Sequence, residues 1–274
     1  MPPQTQPKKI IPPNTADPGR IIAHRGASHV APENTLTAFR EAARQGVRWI
    51  EFDVSLLGDS TAIVHHDPTV DRCSLSTGAL SDLRIGDLPK LDMGSRKALR
   101  YAGETMPLLS EVLDLMEQLE LFANLEIKLH HYAPEVAAAV VASHLDARPW
   151  SRDRIIVSSF RHEVLAELRE IAPAQPIALL YRAPPPGWEG ACRDLRAAAV
   201  HLEFRHLSEE VLRGAERAGL DVRVYTINRP DVVAPFREIG LTGVITDHPP
   251  LFLDEPDWRD WAGLPGAGCH TGTW

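Results

Sequence analysis

Several absences narrow the field. The 274-residue chain has three cysteines, Cys73, Cys192 and Cys269, far apart and odd in number. They form neither a zinc-ligand spacing nor a disulfide framework, so the thiols read as reduced and the setting as cytoplasmic. No apolar run approaches the ~18 residues that a membrane span needs. The opening "MPPQTQPKKIIPPNTADPGR" has two lysines but no apolar stretch of signal-peptide length. Positive charge is in deficit: 29 Lys and Arg face 37 Asp and Glu, a formal net charge of −8. That excludes a general nucleic-acid binder, but not an anionic substrate in a local cationic pocket. No basic amphipathic helix is visible, so no stable membrane association is expected. No GxGxxG turn follows any strand-like run, and oligomeric state leaves no sign in the sequence.

What is present is alternation. Apolar, β-branched runs occur at 20–24, 48–54, 121–128, 154–160, 176–181, 198–204, 221–227 and 243–247. Helical periods lie between most of them. In "ENTLTAFREAARQG", Leu36, Phe39, Ala42 and Ala43 share one face and Gly46 suits the C-terminal stop. Ser208 is placed to cap a later helix, and "RPDVVAPFREIG" reads as one more. Eight strands alternating with helices fit an α/β fold, the closed (β/α)8 TIM barrel, better than the rival doubly wound sheet. The barrel domain is expected over 20–253. A flexible Pro-rich arm precedes it at 1–19, and an irregular tail with Trp258, Trp261 and Trp274 follows at 254–274. The one irregular connection, about 67–106, comes after the second strand and reads as a small insertion over one end of the barrel.

Chemistry gathers at strand ends. Side chains alternate faces along a strand, so Glu51 and Asp53 face one way while Ile50, Phe52 and Val54 face the other. The acids should point to the barrel axis and the apolar set to the helices. Glu126 and Lys128 repeat the pattern. Three carboxylates inside a barrel need compensation, which a divalent cation supplies; spacing alone leaves a metal-free salt-bridge network equally open. His24 ends the first strand, and His66 stands at the end of "TAIVHHD", a strand-like run that follows the acidic one. Two histidines beside an acidic cluster can share general acid and base duties. His65 has the opposite parity and is set aside. Arg25 offers a planar fork for a phosphate, and Gly26 lets the backbone approach. Together these point to phosphoester cleavage.

The motifs "HRGASHVAPENTLTAF", "IEFDVSLLGDSTAIVHHDPTVDR", "GETMPLLSEVLDL", "NLEIK", "SSF", "VYTIN" and "GVITDHP" stand in order from about Arg20 to Pro250. In them the chain resembles the glycerophosphodiester phosphodiesterases of the bacterial cytoplasmic type. The resemblance implies that Glu51, Asp53 and Glu126 bind a metal, commonly Mg²⁺ or Ca²⁺. It implies that His24 and His66 are the acid/base pair, with Arg25 and Lys128 at the phosphate. It also implies cleavage of deacylated phospholipids to sn-glycerol 3-phosphate and an alcohol. Two alternatives remain at this point: a phospholipase D-like relative acting on lysophospholipids, and a barrel that binds a phosphorylated ligand without catalysis. In the insertion, "SRKALRYAG" stands where relatives often carry aromatics, leaving the alcohol side undefined. Asn228 and Asp247 lie at strand ends, where turn hydrogen bonding accounts for them as well as substrate contact does.

Overall fold

The computed structural model of the protein describes residues 20–262. The expected arm over 1–19 and the end of the tail, with Cys269 and Trp274, lie outside the described residues. In chain order the elements are β1 (Ile21–His24), α1 (Leu36–Arg44), β2 (Trp49–Leu56), β3 (Ala62–Val64), α2 (Leu109–Gln118), β4 (Phe122–Ile127), α3 (Pro134–Asp146) and α4 (Ser151–Arg154). They continue with β5 (Ile155–Ser159), α5 (His162–Ile171), β6 (Ile177–Tyr181), α6 (Trp188–Asp194), β7 (Ala199–Glu203), α7 (Glu209–Ala218) and β8 (Asp221–Tyr225). The last are α8 (Pro230–Val233), β9 (Gly243–Thr246), α9 (Pro250–Leu253) and α10 (Pro256–Ala262).

Every strand except β3 joins one parallel barrel, which closes because β1 pairs with both β9 and β2. The apolar runs visible in the sequence are these eight strands. Their two faces behave as alternation requires. Ile50, Phe52 and Val54 join Phe39, Leu109 and Leu125 in the large core between sheet and helices. A second, smaller cluster contains Ile22, Trp49, Phe122, Ile156, Ala178, Ala199 and Ile245. These sit near the strand N-termini with the parity of His24, Glu51 and Glu126, so they fill the barrel interior beneath the acids. Trp49 and Phe122 stack there with ring centroids 5.2 Å apart. This layer is mostly apolar, with the buried Arg223 guanidinium 4.7 Å over the Trp49 ring, and the acids stand above it at the rim.

Local chemistry explains the helix ends. Thr35 caps α1 by accepting from the Ala38 N–H, and Ser208 caps α7 by accepting from Val211. One helical expectation changes form. The segment "RPDVVAPFREIG" is a single turn of α8 followed by a 3-10 helix over Ala234–Ile239. Pro235 has no N–H to donate, so the i→i−4 ladder cannot run through it. The tail also differs from an irregular segment where it is described. Pro256 opens α10, and Trp258 packs edge-on against Phe252 with centroids 4.9 Å apart.

The connection over 67–106 carries its own core: Leu57, Ile63, Val70, Leu80, Leu88, Leu91, Met93 and Met106 are buried together. Strand β3 pairs antiparallel with the outer end of β2 and leads into it. The insertion then grips the β1–α1 loop and the start of α1. Tyr101 Oη donates to the Val30 carbonyl at 2.7 Å, and Thr37 Oγ1 donates to Glu104 at 2.6 Å.

Candidate active site

Strand register brings the acids together. Glu51 pairs opposite His24 across β1–β2, and Asp53 opposite Glu126 across β2–β4. One carboxylate oxygen from each of Glu51, Asp53 and Glu126 lies within 4.8 Å of the others, and all three residues are buried. Like charges this close oppose each other's ionisation. Burial, then Asp53 and Glu126, push Glu51 well above the usual carboxylate range. Burial raises Glu126 to about 7 against the pull of Lys128. Burial would raise Asp53 as well, but Lys128 and Arg25 outweigh it and hold the carboxyl below its ordinary range. The donor set consists of hard oxygens, and Asp53 Oδ1 has no hydrogen-bond donor although Lys128 Nζ stands 3.1 Å away. Such a set fits a divalent cation.

The cations stand around this triad. Lys128 also bonds Glu126, and its neighbours Asp53 and Glu126 keep it charged against the cost of burial. Arg25 Nη1 donates to Glu33 at 2.7 Å, while its Nε lies 3.1 Å from Asp53 without hydrogen-bond alignment. Both Arg25 and Gly26 have positive φ, 54° and 80°. This left-handed turn aims the Arg25 N–H at Glu51 Oε2, 3.0 Å away. Gly26 is required there, because a Cβ would stand 2.7 Å from the Ala38 backbone and side chain.

Each histidine is held by a carboxylate. His24 Nδ1 bonds Asp247 Oδ1 at 2.6 Å, and His66 Nδ1 bonds Asp67 Oδ1 at 2.5 Å. An ionised carboxylate only accepts, so both Nδ1 atoms carry the proton and Nε2 is the reactive nitrogen. His24 Nε2 lies 3.8 Å from Glu51. Burial lowers the His66 pKa; Asp53 opposes this, while Lys128 and Arg25 add to it. Asp247 is fixed in turn by Asn228 Nδ2 at 2.9 Å and Ser28 Oγ at 3.2 Å. Asp67 accepts from Arg72 Nε at 2.6 Å, and Arg72 also grips Glu33 through Nη1 at 2.7 Å. One chain of charges thus links His66, Asp67, Arg72, Glu33, Arg25 and Asp53.

All seven residues singled out from the sequence, His24, Arg25, Glu51, Asp53, His66, Glu126 and Lys128, therefore meet at one rim. His65 does not join them: it is buried, and its Nε2 bonds the Thr69 carbonyl at 2.9 Å. Asp67 and Arg72 belong to "HHDPTVDR" and Glu33 to "HRGASHVAPENTLTAF", but neither motif showed that they hold the set. Asp247 is a partner of His24 rather than a mere turn residue. A cavity of about 370 Å³ lined by Ala139, Ala142, Asp146, Arg152 and Ile171 contains none of these groups. No described helix is long and apolar enough to cross a membrane.

Comparison with known proteins agrees with this geometry. The glycerophosphodiester phosphodiesterase of Caldanaerobacter subterraneus subsp. tengcongensis is 32% identical over 236 residues, covering 85% of this chain and 96% of that protein. A glycerophosphodiester phosphodiesterase of Bacillus subtilis is 29% identical over 259 residues, 87% of each chain. Among solved structures, an Oleispira antarctica phosphodiesterase in complex with the product sn-glycerol-3-phosphate superposes with a TM-score of 0.80 at 30% identity, over 84% of this chain and 93% of that one. The sequence model of the glycerophosphoryl diester phosphodiesterase family matches residues 24–251, nearly the whole barrel, and the chain belongs to that family.

Proposed function

We propose that the protein hydrolyses glycerophosphodiesters to sn-glycerol 3-phosphate and an alcohol, using a divalent cation and a histidine acid/base pair. The observation that carries this reading is a juxtaposition at one rim. Two imidazoles, each fixed through Nδ1, stand beside a buried triad of carboxylate oxygens within 4.8 Å of one another. Glu51, Asp53 and Glu126 would hold the cation. When bound, it supplies Lewis-acid polarisation of a phosphoryl oxygen. Mg²⁺ and Ca²⁺ both suit carboxylate donors.

The chain's own groups do the rest. Arg25 and Lys128 offer positive charge to the phosphate, where negative charge grows in the transition state. One Nε2 accepts the proton of the glycerol 2-hydroxyl as its oxygen bonds phosphorus, and the other protonates the alkoxide oxygen as its P–O bond breaks. Water then opens the cyclic phosphate to sn-glycerol 3-phosphate. Asp247 and Asp67 hold the two rings through Nδ1 and leave Nε2 free for proton transfer. Lysophospholipids are the second candidates, since Leu75, Ile85 and Leu99 on the insertion are exposed apolar side chains that a lipid chain could meet. The separated free thiols Cys73 and Cys192 accord with a cytoplasmic setting.

A panel of glycerophosphocholine, glycerophosphoethanolamine and lysophosphatidylcholine tests the proposal. Release of sn-glycerol 3-phosphate from the first two, with no choline from the third, is the expected result. Release of choline from lysophosphatidylcholine alone would overturn it.

A further inference from the structure

A second cavity adjoins the catalytic rim and has no assigned role. It lies between the β1–α1 loop and the insertion, has a volume of about 170 Å³, and is lined in part by Ser28, Glu33, Arg72, Arg96 and Lys97. Its walls are one bond away from three parts of the site. Ser28 donates to Asp247, which holds His24; Glu33 accepts from Arg25; Arg72 donates to Asp67, which holds His66.

Charge in this cleft is unbalanced. Arg25 and Arg72 are neutralised by Glu33, Asp53 and Asp67, so the surplus lies in the insertion's own cations. Arg96 spends its Nε on the Ser74 carbonyl, and Lys97 Nζ donates to the Ser28 carbonyl at 2.6 Å. Neither is matched by a carboxylate among the described residues. Arg100, one helical turn on, likewise bonds only a carbonyl, that of Val30 at 3.3 Å. In a chain with net charge −8, these unneutralised cations gather beside the catalytic pair. The opposite flank mixes aromatic groups with charges of both signs: Lys128 faces Phe160 at 5.8 Å, Phe160 meets Tyr225 edge-on at 5.9 Å, and Glu203 and Arg182 both act on Tyr225. A diester whose phosphate lies between Arg25 and Lys128 has one arm toward each flank. The glycerol arm is uncharged and gains nothing from a surplus of positive charge. An anionic arm does gain.

We propose that this cleft receives the leaving alcohol and selects alcohols that carry an anionic group, so that the preferred substrates are glycerophosphodiesters with a negatively charged head. The inference rests on the phosphodiesterase reading above. It assigns Arg96 and Lys97, within "SRKALRYAG", to head-group recognition, where aromatic side chains would instead suit a cationic head.

The test compares two substrates that differ by one phosphate, glycerophosphoinositol and glycerophosphoinositol 4-phosphate, by kcat/KM for glycerol 3-phosphate release. The expected ratio in the wild type favours the 4-phosphate by about tenfold, the scale of one or two charge-assisted contacts in a half-open cleft. In Lys97→Gln and in Arg96→Gln the ratio moves toward one. Ionic strength probes the wild type without any substitution: shortening the Debye length to about 3 Å should compress the ratio. A wild-type ratio near one, or a ratio untouched by both variants and by salt, overturns the inference while leaving the phosphodiesterase reading intact. No release from either substrate, nor from glycerophosphocholine, overturns both.

Discussion

At the residue scale, the site is a set of second partners around a visible first set. Glu51 and Asp53 were legible because two-residue spacing forces one facing, and Glu126 with Lys128 repeats it one strand over. Their carboxyl-ended histidines were half legible. Asp247 is 223 positions from His24, and only β1–β9 closure makes them neighbours. Glu33 and Arg72 belong to two loops without periodicity, so no pattern announces their contact. The Asp247 carboxylate fixes the His24 tautomer and balances its charge, which an amide does less well. Asp247→Asn is therefore expected to lower kcat about 100-fold with little change in KM, by analogy with carboxylates behind general-base histidines. Steady-state kinetics on glycerophosphocholine check this; a kcat within twofold of wild type would remove Asp247 from the account.

At the element scale, regular segments were readable and interrupted ones were not. The eight barrel strands stood out as apolar runs that end in polar residues, because their lower inward positions fill the barrel and their upper ones serve the rim. The 3-10 stretch after α8 did not stand out, because helical spacing of apolar residues continues through Pro235 while the backbone ladder stops there. The insertion shows neither period because 3-10 turns organise it around its own small core. Helix α10 was hidden in a Gly- and Pro-rich tail. Trp258 on α10 is 3% exposed, lies 5.2 Å from the Trp261 ring and 4.9 Å from Phe252, and has the Arg237 guanidinium over its face at 4.7 Å. Trp258→Ala should cost about 3 kcal/mol, the usual penalty for truncating a buried large aromatic. A urea midpoint unchanged by this substitution would mean that α10 does not contribute to the fold.

At the scale of the whole molecule, the charges that organise the rim also tie stability to pH. Burial would raise the Glu33 pKa, yet Arg72 and Arg25 lower it from 4.5 to about 2. Asp67 falls likewise from 3.8 to about 2 against burial, through Arg72 and His66. A carboxyl with a depressed folded pKa binds fewer protons folded than unfolded. Its contribution is complete above the unfolded value and fades as pH falls from about 4.5 toward 2. Allowing for partial exposure, Glu33 is worth on the order of 2 kcal/mol. Urea unfolding should show Glu33→Gln less stable than wild type at neutral pH, with the gap narrowing by roughly half or more near pH 3. A gap constant across that window would contradict the depressed pKa.

The barrel's upper rim gathers a metal-ready triad and two held imidazoles above a mostly apolar layer. The most direct measurement is the initial rate of sn-glycerol 3-phosphate release from glycerophosphocholine by metal-stripped protein as Mg²⁺ or Ca²⁺ is titrated back. The wild type should be inactive when stripped and recover saturably with one of these ions, while Glu51→Gln and Glu126→Gln should need far more metal or fail to recover. Full activity in the stripped wild type, or recovery unaffected by both substitutions, would contradict metal-dependent catalysis at this triad.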